Sequence, residues 1–198
     1  MNRRSSLLKR GAFMAVVMVL AAAAGSAGVL MWRTFNPPVS LKSAPLPATS
    51  SSTAPVRLAV GDQRPSFSLA GTDGTLRSVE EWDGKLLILN FWATWCPPCL
   101  EEIPAFVRLQ SEFAEQGVQF LGIALDSQDN VRNFLREHSV NYPSLHGQSD
   151  AIELGKRYGN TIGALPYTVA ISREGKILVT HHGVLDESTA RALIEKNR

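Results

Sequence analysis

The alternation of apolar and polar positions divides the chain into three unlike parts. Behind a basic start, positions 11 to 32 form an uncharged, mostly apolar run. About 20 such residues are enough for a helix to cross a hydrocarbon core roughly 30 Å thick. Residues 36–56, NPPVSLKSAPLPATSSSTAPV, carry Pro, Ser, Ala and Thr and no aromatic side chain. A stretch of that kind cannot bury enough surface to offset the entropy of ordering, so it reads as a semi-extended tether. The expected organisation is a membrane anchor or signal peptide over 1–35, a linker over 36–57 and a folded domain over 58–198.

Within the folded part, periods of two and of three to four residues alternate. The run from Lys85, KLLILNFWA, is almost continuously apolar, as a strand buried on both faces is. From Pro97 the spacing turns helical through Leu100, Ile103, Phe106, Val107 and Phe113, and Gly117 closes the helix. Val118 to Leu125 is a second buried strand. Asp126 or Ser127 caps a helix reaching about His138, and Asp150 to Tyr158 is a shorter one. Tyr167 to Ser172 and Lys176 to Gly183 form a hairpin, and Asp186 to Lys196 a terminal helix. Phe67–Leu69 and Thr75–Arg77 add a small N-terminal hairpin. The order implies an α/β domain, a central sheet covered by helices on both faces.

Charge refines the picture. Residues 1–57 hold seven basic side chains and no acid, which leaves 13 basic against 18 acidic residues beyond them. The folded part is mildly acidic, so the basic overall balance gives no reason to expect nucleic acid. Arg3, Arg4, Lys9 and Arg10 precede the apolar run and only Arg33 follows closely, which keeps the start in the cytoplasm and sends the remainder across. The small residues from Ala21 to Gly28 leave cleavage by a signal peptidase open beside a retained anchor.

Both cysteines of the chain, Cys96 and Cys99, lie in FWATWCPPCLEEIP (residues 91–104). Cys96 falls where a buried strand ends and Cys99 in the first turn of the next helix. A structural disulfide across so short a loop would constrain the unfolded chain little. Zinc needs about four ligands, and the only additions are His138, His146, His181 and His182, with no second CxxC. A redox pair fits better: unpaired N–H groups and the helix dipole at that point favour a thiolate at Cys96, and Cys99 can resolve a mixed disulfide.

These residues resemble the thioredoxin superfamily. FWATWCPPC with Pro104 five residues after Cys99 looks like its active site, and GALPYTVAI supplies the proline expected to be cis, Pro166. The resemblance implies a thioredoxin-like fold, a central mixed sheet flanked by helices, over essentially the whole of 58–198. It also implies that Leu165, before that proline, pairs its backbone with substrate, and that Trp95 shapes the docking face. The anchor, tether, N-terminal hairpin and extra length at residues 127–147 are similar to the membrane-anchored TlpA/ResA group. That group implies an extracytoplasmic reductant of disulfides in exported proteins, apocytochrome c among the candidates, recharged by a membrane thiol–disulfide donor and needing no metal or organic cofactor.

One position departs from thioredoxin. The buried acid six residues before the first cysteine is Asn90 here, which cannot accept a proton. The resemblance offers Glu102 instead, one helical turn beyond Cys99, where a partly buried carboxyl with a raised pKa could shuttle the proton of that thiol. The catalytic set expected is therefore Cys96, Cys99 and Glu102, with Trp95, Leu165 and Pro166 holding substrate. Trp92 is read as core, Asp126 as a helix cap, and His181 and His182 as surface residues. A disulfide-donating oxidant, a thioredoxin-like peroxidase and a non-catalytic binding or chaperone module stay open as alternatives.

Overall fold

The computed structural model describes residues 58–198. The apolar run at 11–32 and the tether lie outside the described residues, among which no helix is long and apolar enough to cross a membrane. The elements are β1 (Ser68–Gly71), β2 (Leu76–Ser78), β3 (Leu86–Trp92), α1 (Pro97–Phe113), β4 (Val118–Ala124), α2 (Gln128–Glu137), β5 (Ser144–His146), α3 (Ser149–Arg157), β6 (Tyr167–Ile171), β7 (Ile177–His182) and α4 (Glu187–Asn197). One mixed sheet of seven strands runs in the order β2-β1-β5-β4-β3-β6-β7. Its parallel pairs are β3–β4 and β4–β5; the others are antiparallel. This is the thioredoxin-like α/β architecture.

Every residue of the central strand β3 is buried, and alternation along it sorts the core into two layers. Leu87, Leu89 and Phe91 pack with Leu154 and Tyr158 on the α3 side. Leu86 and Ile88 point the other way, onto Phe106, Leu109 and Phe113 of α1 and Ala190 and Ile194 of α4. Each such fully buried side chain contributes about 1.5–3 kcal/mol. Asn90 follows Ile88 in this alternation, so the same rule that builds the core turns a polar residue toward α1.

Three local features differ from the expectation. The segment 127–147 contains a strand as well as a helix: β5 lies between β4 and β1 and joins the N-terminal hairpin to the main sheet. Three residues are too few to show a period, and β5 exists because two neighbours supply its hydrogen bonds. The regular part of α1 ends at Phe113, and a 3-10 turn over Ala114–Gln116 carries the chain to Gly117, whose φ of 80° is left-handed. The cap of α2 is Ser127, whose side chain accepts from the Asn130 N–H, not Asp126.

Candidate active site

The topology gathers four connections at one edge of the sheet. β3 and β4 end there, β6 begins opposite the end of β3 (Phe91 with Tyr167), and β7 ends opposite Tyr167 at His182. The loops after β3, β4 and β7 and the loop before β6 therefore meet, at the carboxyl ends of the parallel strands where open α/β sheets hold their sites.

Cys96 caps the N-terminus of α1 in extended conformation, with Pro97 and Pro98 as the first two helical residues. Cys96 and Cys99 are joined as a disulfide with Cα atoms 5.3 Å apart. Cys99 is fully covered and Cys96 keeps 5% exposure. The expected donors for a thiolate are differently disposed. The Cys96 N–H bonds the Ala93 carbonyl at 3.2 Å, the two prolines carry no N–H, and the Cys99 and Leu100 N–H groups both bond the Cys96 carbonyl, at 3.0 and 3.3 Å. The start of this helix presents no unpaired N–H to the sulfurs, and only its dipole remains to favour charge there. Pro104 lies inside α1, which runs through it to Phe113; its missing N–H leaves the Leu100 carbonyl without the usual helical partner.

The peptide bond between Leu165 and Pro166 is cis. Leu165 packs against the cluster that holds Cys96, Cys99, Trp92 and Ile103, which puts the proline loop beside the disulfide. Two polar anchors fix that loop. The Gly183 N–H bonds the Pro166 carbonyl at 2.9 Å. Asn160, buried, donates from Nδ2 to the Ala164 carbonyl (2.8 Å) and accepts the Ala164 N–H at Oδ1 (3.1 Å).

Glu102 is buried, with 1% exposure. Its Oε1 accepts from Asn90 Nδ2 at 2.7 Å, and its Oε2 from the Leu185 N–H at 2.9 Å. Burial pushes the carboxyl up to about 7, against the two hydrogen bonds, which favour the charged form. The Asn90 amide also donates to Thr168 Oγ1 at 3.2 Å, while its Oδ1 is buried without a partner. The residue that departs from thioredoxin is thus the direct neighbour of the carboxyl proposed to take over its work.

Asp126, at the end of β4, takes a hydrogen bond from Thr94 Oγ1, two residues before Cys96, and others from Ser127 N–H (2.7 Å) and Asn130 Nδ2 (2.8 Å). Burial opposes its ionisation, but the bonds from Thr94, Asn130 and Ser127 outweigh this and hold the carboxyl below its usual range. It ties the loop after β4 to the loop that presents the cysteines.

Of the tryptophans, Trp95 is 66% exposed on the cysteine loop, and Trp92 is buried with its ring 4.9 Å from that of Phe134. The structure brings Cys96, Cys99, Leu165 and Pro166 to one place, with Glu102 one helical turn below. His181 and His182 stand on β7, where the His182 ring lies against Tyr167 and His181 Nε2 lies 3.1 Å from the Val184 carbonyl oxygen. No group of three or more metal-ligating side chains occurs among the described residues. Sequence reasoning missed Asn160, Leu185 and the Thr94–Asp126 link. Asn160 had a faint signal, an amide beside Gly159 at a helix end; the other two depend on contacts between distant segments.

A family model described as Redoxin matches residues 59–194. The chain is 31% identical over 136 residues to thiol-disulfide oxidoreductase ResA of Halalkalibacterium halodurans, covering 68% of this chain and 75% of that one. It is 32% identical over 133 residues to the ResA of Bacillus subtilis, covering 65% and 70%. Among solved structures, a thiol:disulfide interchange protein of the thioredoxin family from Chlorobium tepidum superposes with a TM-score of 0.63 at 30% identity, over 71% of this chain and 98% of that one.

Proposed function

This chain belongs to the Redoxin family and is a TlpA/ResA-like thiol–disulfide oxidoreductase, and we propose that it reduces disulfides of exported proteins from a tethered position outside the cytoplasm. The uncharged run at 11–32 serves as the anchor and residues 36–57 as the tether, so that the domain over 58–198 faces the periplasm. Disulfide-containing exported polypeptides, apocytochrome c among them, are the substrates. A membrane thiol–disulfide donor restores the dithiol.

In the reducing direction the Cys96 thiolate attacks one sulfur of a substrate disulfide. That S–S bond breaks, a Cys96–substrate disulfide forms, and the departing substrate sulfur leaves as a thiolate and takes a proton. The Cys99 thiol then gives its proton to Glu102, whose carboxyl at about 7 can accept and release it near neutrality. The Cys99 thiolate attacks Cys96 Sγ, freeing the second substrate sulfur, which is protonated in turn. Two electrons and two protons pass to substrate and the Cys96–Cys99 disulfide remains, the state seen here. Leu165 and Pro166 hold the substrate backbone during the exchange, with Trp95 beside them.

The observation that carries the direction is the hydrogen bonding at the start of α1. A strong disulfide donor stabilises its reduced form by stabilising the thiolate. Here the first-turn N–H groups are absent at Pro97 and Pro98 or already bonded to main-chain carbonyls, and a buried carboxyl lies one turn on. Both features withhold stabilisation from the Cys96 thiolate and favour the disulfide form of the protein, as a reductant requires. The reduction potential of the Cys96–Cys99 pair tests this: a value near −270 mV supports the reductant, and one near −120 mV overturns it in favour of an oxidant.

A further inference from the structure

The loop between α3 and β6 is closed more tightly than its short length requires. Asn160 bonds Ala164 through both atoms of its amide, at 2.8 and 3.1 Å. The Gly163 N–H bonds the Asn160 carbonyl at 3.2 Å, and the Thr161 N–H bonds that of Gly159 at 2.9 Å. Gly159 and Gly163 have φ of 99° and 66°, backbone that other residues adopt only with strain. A buried amide and two left-handed glycines thus define one conformation for residues 160–164. At the tip of that loop stands Ile162, 79% exposed, more than any other large apolar side chain among the described residues.

Ile162 takes no part in the buried core clusters, so its place in the loop is not explained by folding. Its position is informative in another way. The loop enters β6 through Leu165 and Pro166, and β6 begins opposite the end of β3, the strand that leads into the cysteine loop. Two other exposed apolar side chains occupy the same edge. Trp95 is on the cysteine loop, and Val184 follows Gly183, whose N–H holds the Pro166 carbonyl. A polypeptide whose disulfide reaches Cys96 must therefore pass this edge. The loop that leads into Leu165 and Pro166 carries the exposed apolar side chain of Ile162 on a backbone already fixed by its own hydrogen bonds. Ordering in advance removes an entropic cost from association.

We propose that Ile162 is a specificity-determining residue of the exchange reaction: from the loop stapled by Asn160 it covers a bulky apolar side chain beside the substrate cysteine. The preferred substrate is an extended, unfolded segment in which an aliphatic or aromatic residue neighbours the cysteine, a residue a folded protein would have buried. Asn160 is a positioning residue in this scheme and touches no substrate. The inference rests on the reading that Cys96 is the attacked-disulfide partner.

The test uses the full-length chain, reduced, and two disulfide-linked peptides that differ only in having Leu or Ser next to one cysteine. Wild type is expected to reduce the Leu peptide with a kcat/KM roughly tenfold higher, the scale on which one aliphatic group in an apolar contact discriminates. Ile162→Ser should bring the ratio close to one, chiefly through KM. Ile162→Val should retain most of it, and Leu76→Ser, which removes an exposed apolar side chain on the distant edge strand β2, should leave it unchanged. A wild type that does not discriminate, or an Ile162→Ser variant that still does, overturns the proposal. Trapping of either peptide on a Cys99→Ser variant separates the two readings. Adducts at Cys96 with no discrimination sink the role of Ile162 alone, and no adduct at Cys96 sinks both.

Discussion

Glu102 and Leu185 stand 83 residues apart, yet the Glu102 carboxylate accepts the Leu185 main-chain N–H at 2.9 Å. Through this bond the active-site helix is joined to the strap between β7 and α4. Two residues earlier the same strap holds the Pro166 carbonyl through the Gly183 N–H, also at 2.9 Å. The carboxyl proposed to move the Cys99 proton is thus part of the framework that supports the cis-proline proposed to hold substrate. Its oxygens receive two N–H donors, which hold the carboxylate form in place.

The buried carboxyl makes stability depend on pH with a defined sign. Glu102 has an ordinary value of 4.5 and about 7 in the folded protein. Between these limits the folded state binds more protons than the unfolded chain, so this group's contribution is full below 4.5, falls as pH rises, and is lost above about 7. At 1.36 kcal/mol per pH unit the whole span corresponds to about 3 kcal/mol. Glu102→Gln removes the titration while keeping an acceptor for Leu185, and its new N–H₂ can donate to Asn90 Oδ1, which has no partner now, once that amide turns over. Denaturant unfolding at pH 5 and pH 8 should show the variant gaining on wild type as pH rises, by up to about 3 kcal/mol. A stability difference that does not vary with pH would remove the raised carboxyl from the account. The pH profile of thiol exchange should lose its transition near 7 in the same variant.

The two cysteines should fail in different ways. Cys96→Ser removes the attacking sulfur and should abolish disulfide reduction. Cys99→Ser leaves the attack intact but removes the resolving thiol, so a substrate adduct should accumulate and be released by an added dithiol. Non-reducing gels and intact mass measure this directly. Accumulation on Cys96→Ser, with none on Cys99→Ser, would reverse the assigned roles.

How much of this site was legible beforehand depended on where each residue's partners lie in the chain. Cys96 and Cys99 fall within one short motif at a strand-to-helix junction, so local pattern reached them, whereas Pro104 and Pro166 were reached through the resemblance to the thioredoxin superfamily. Glu102 was accessible through the resemblance, supported by its helical spacing from Cys99, and the turn of Asn90 toward α1 follows from alternation along β3. The Leu185 partner was not accessible, because a main-chain N–H carries no side-chain signature and its loop meets α1 only in the folded state. Asp126 was misread for a related reason. An acid just ahead of a helix looks like a cap, but Ser127 takes that role and Asp126 turns to Thr94 on another loop. The strand β5 escaped notice because its three residues have no period of their own and are ordered by β4 and β1 on either side.

The Thr94–Asp126 link should behave as one coupled unit. Asp126→Ala leaves Thr94 Oγ1, Asn130 Nδ2 and the Ser127 N–H without their acceptor at a nearly buried site, and should cost about 1–3 kcal/mol. Thr94→Val removes the hydroxyl from the other side at similar volume and should cost less, because Asp126 retains its remaining donors. If the bond is the main connection between the two loops, the double variant should lose less than the sum of the singles, with a coupling of at least about 0.5 kcal/mol. Thermal or denaturant unfolding of the four proteins measures the cycle. Strictly additive losses would mean that Asp126 supports only its own loop, and that the approach to Cys96 is held by the Cys96 N–H bond to Ala93 and by burial of Trp92 rather than from β4.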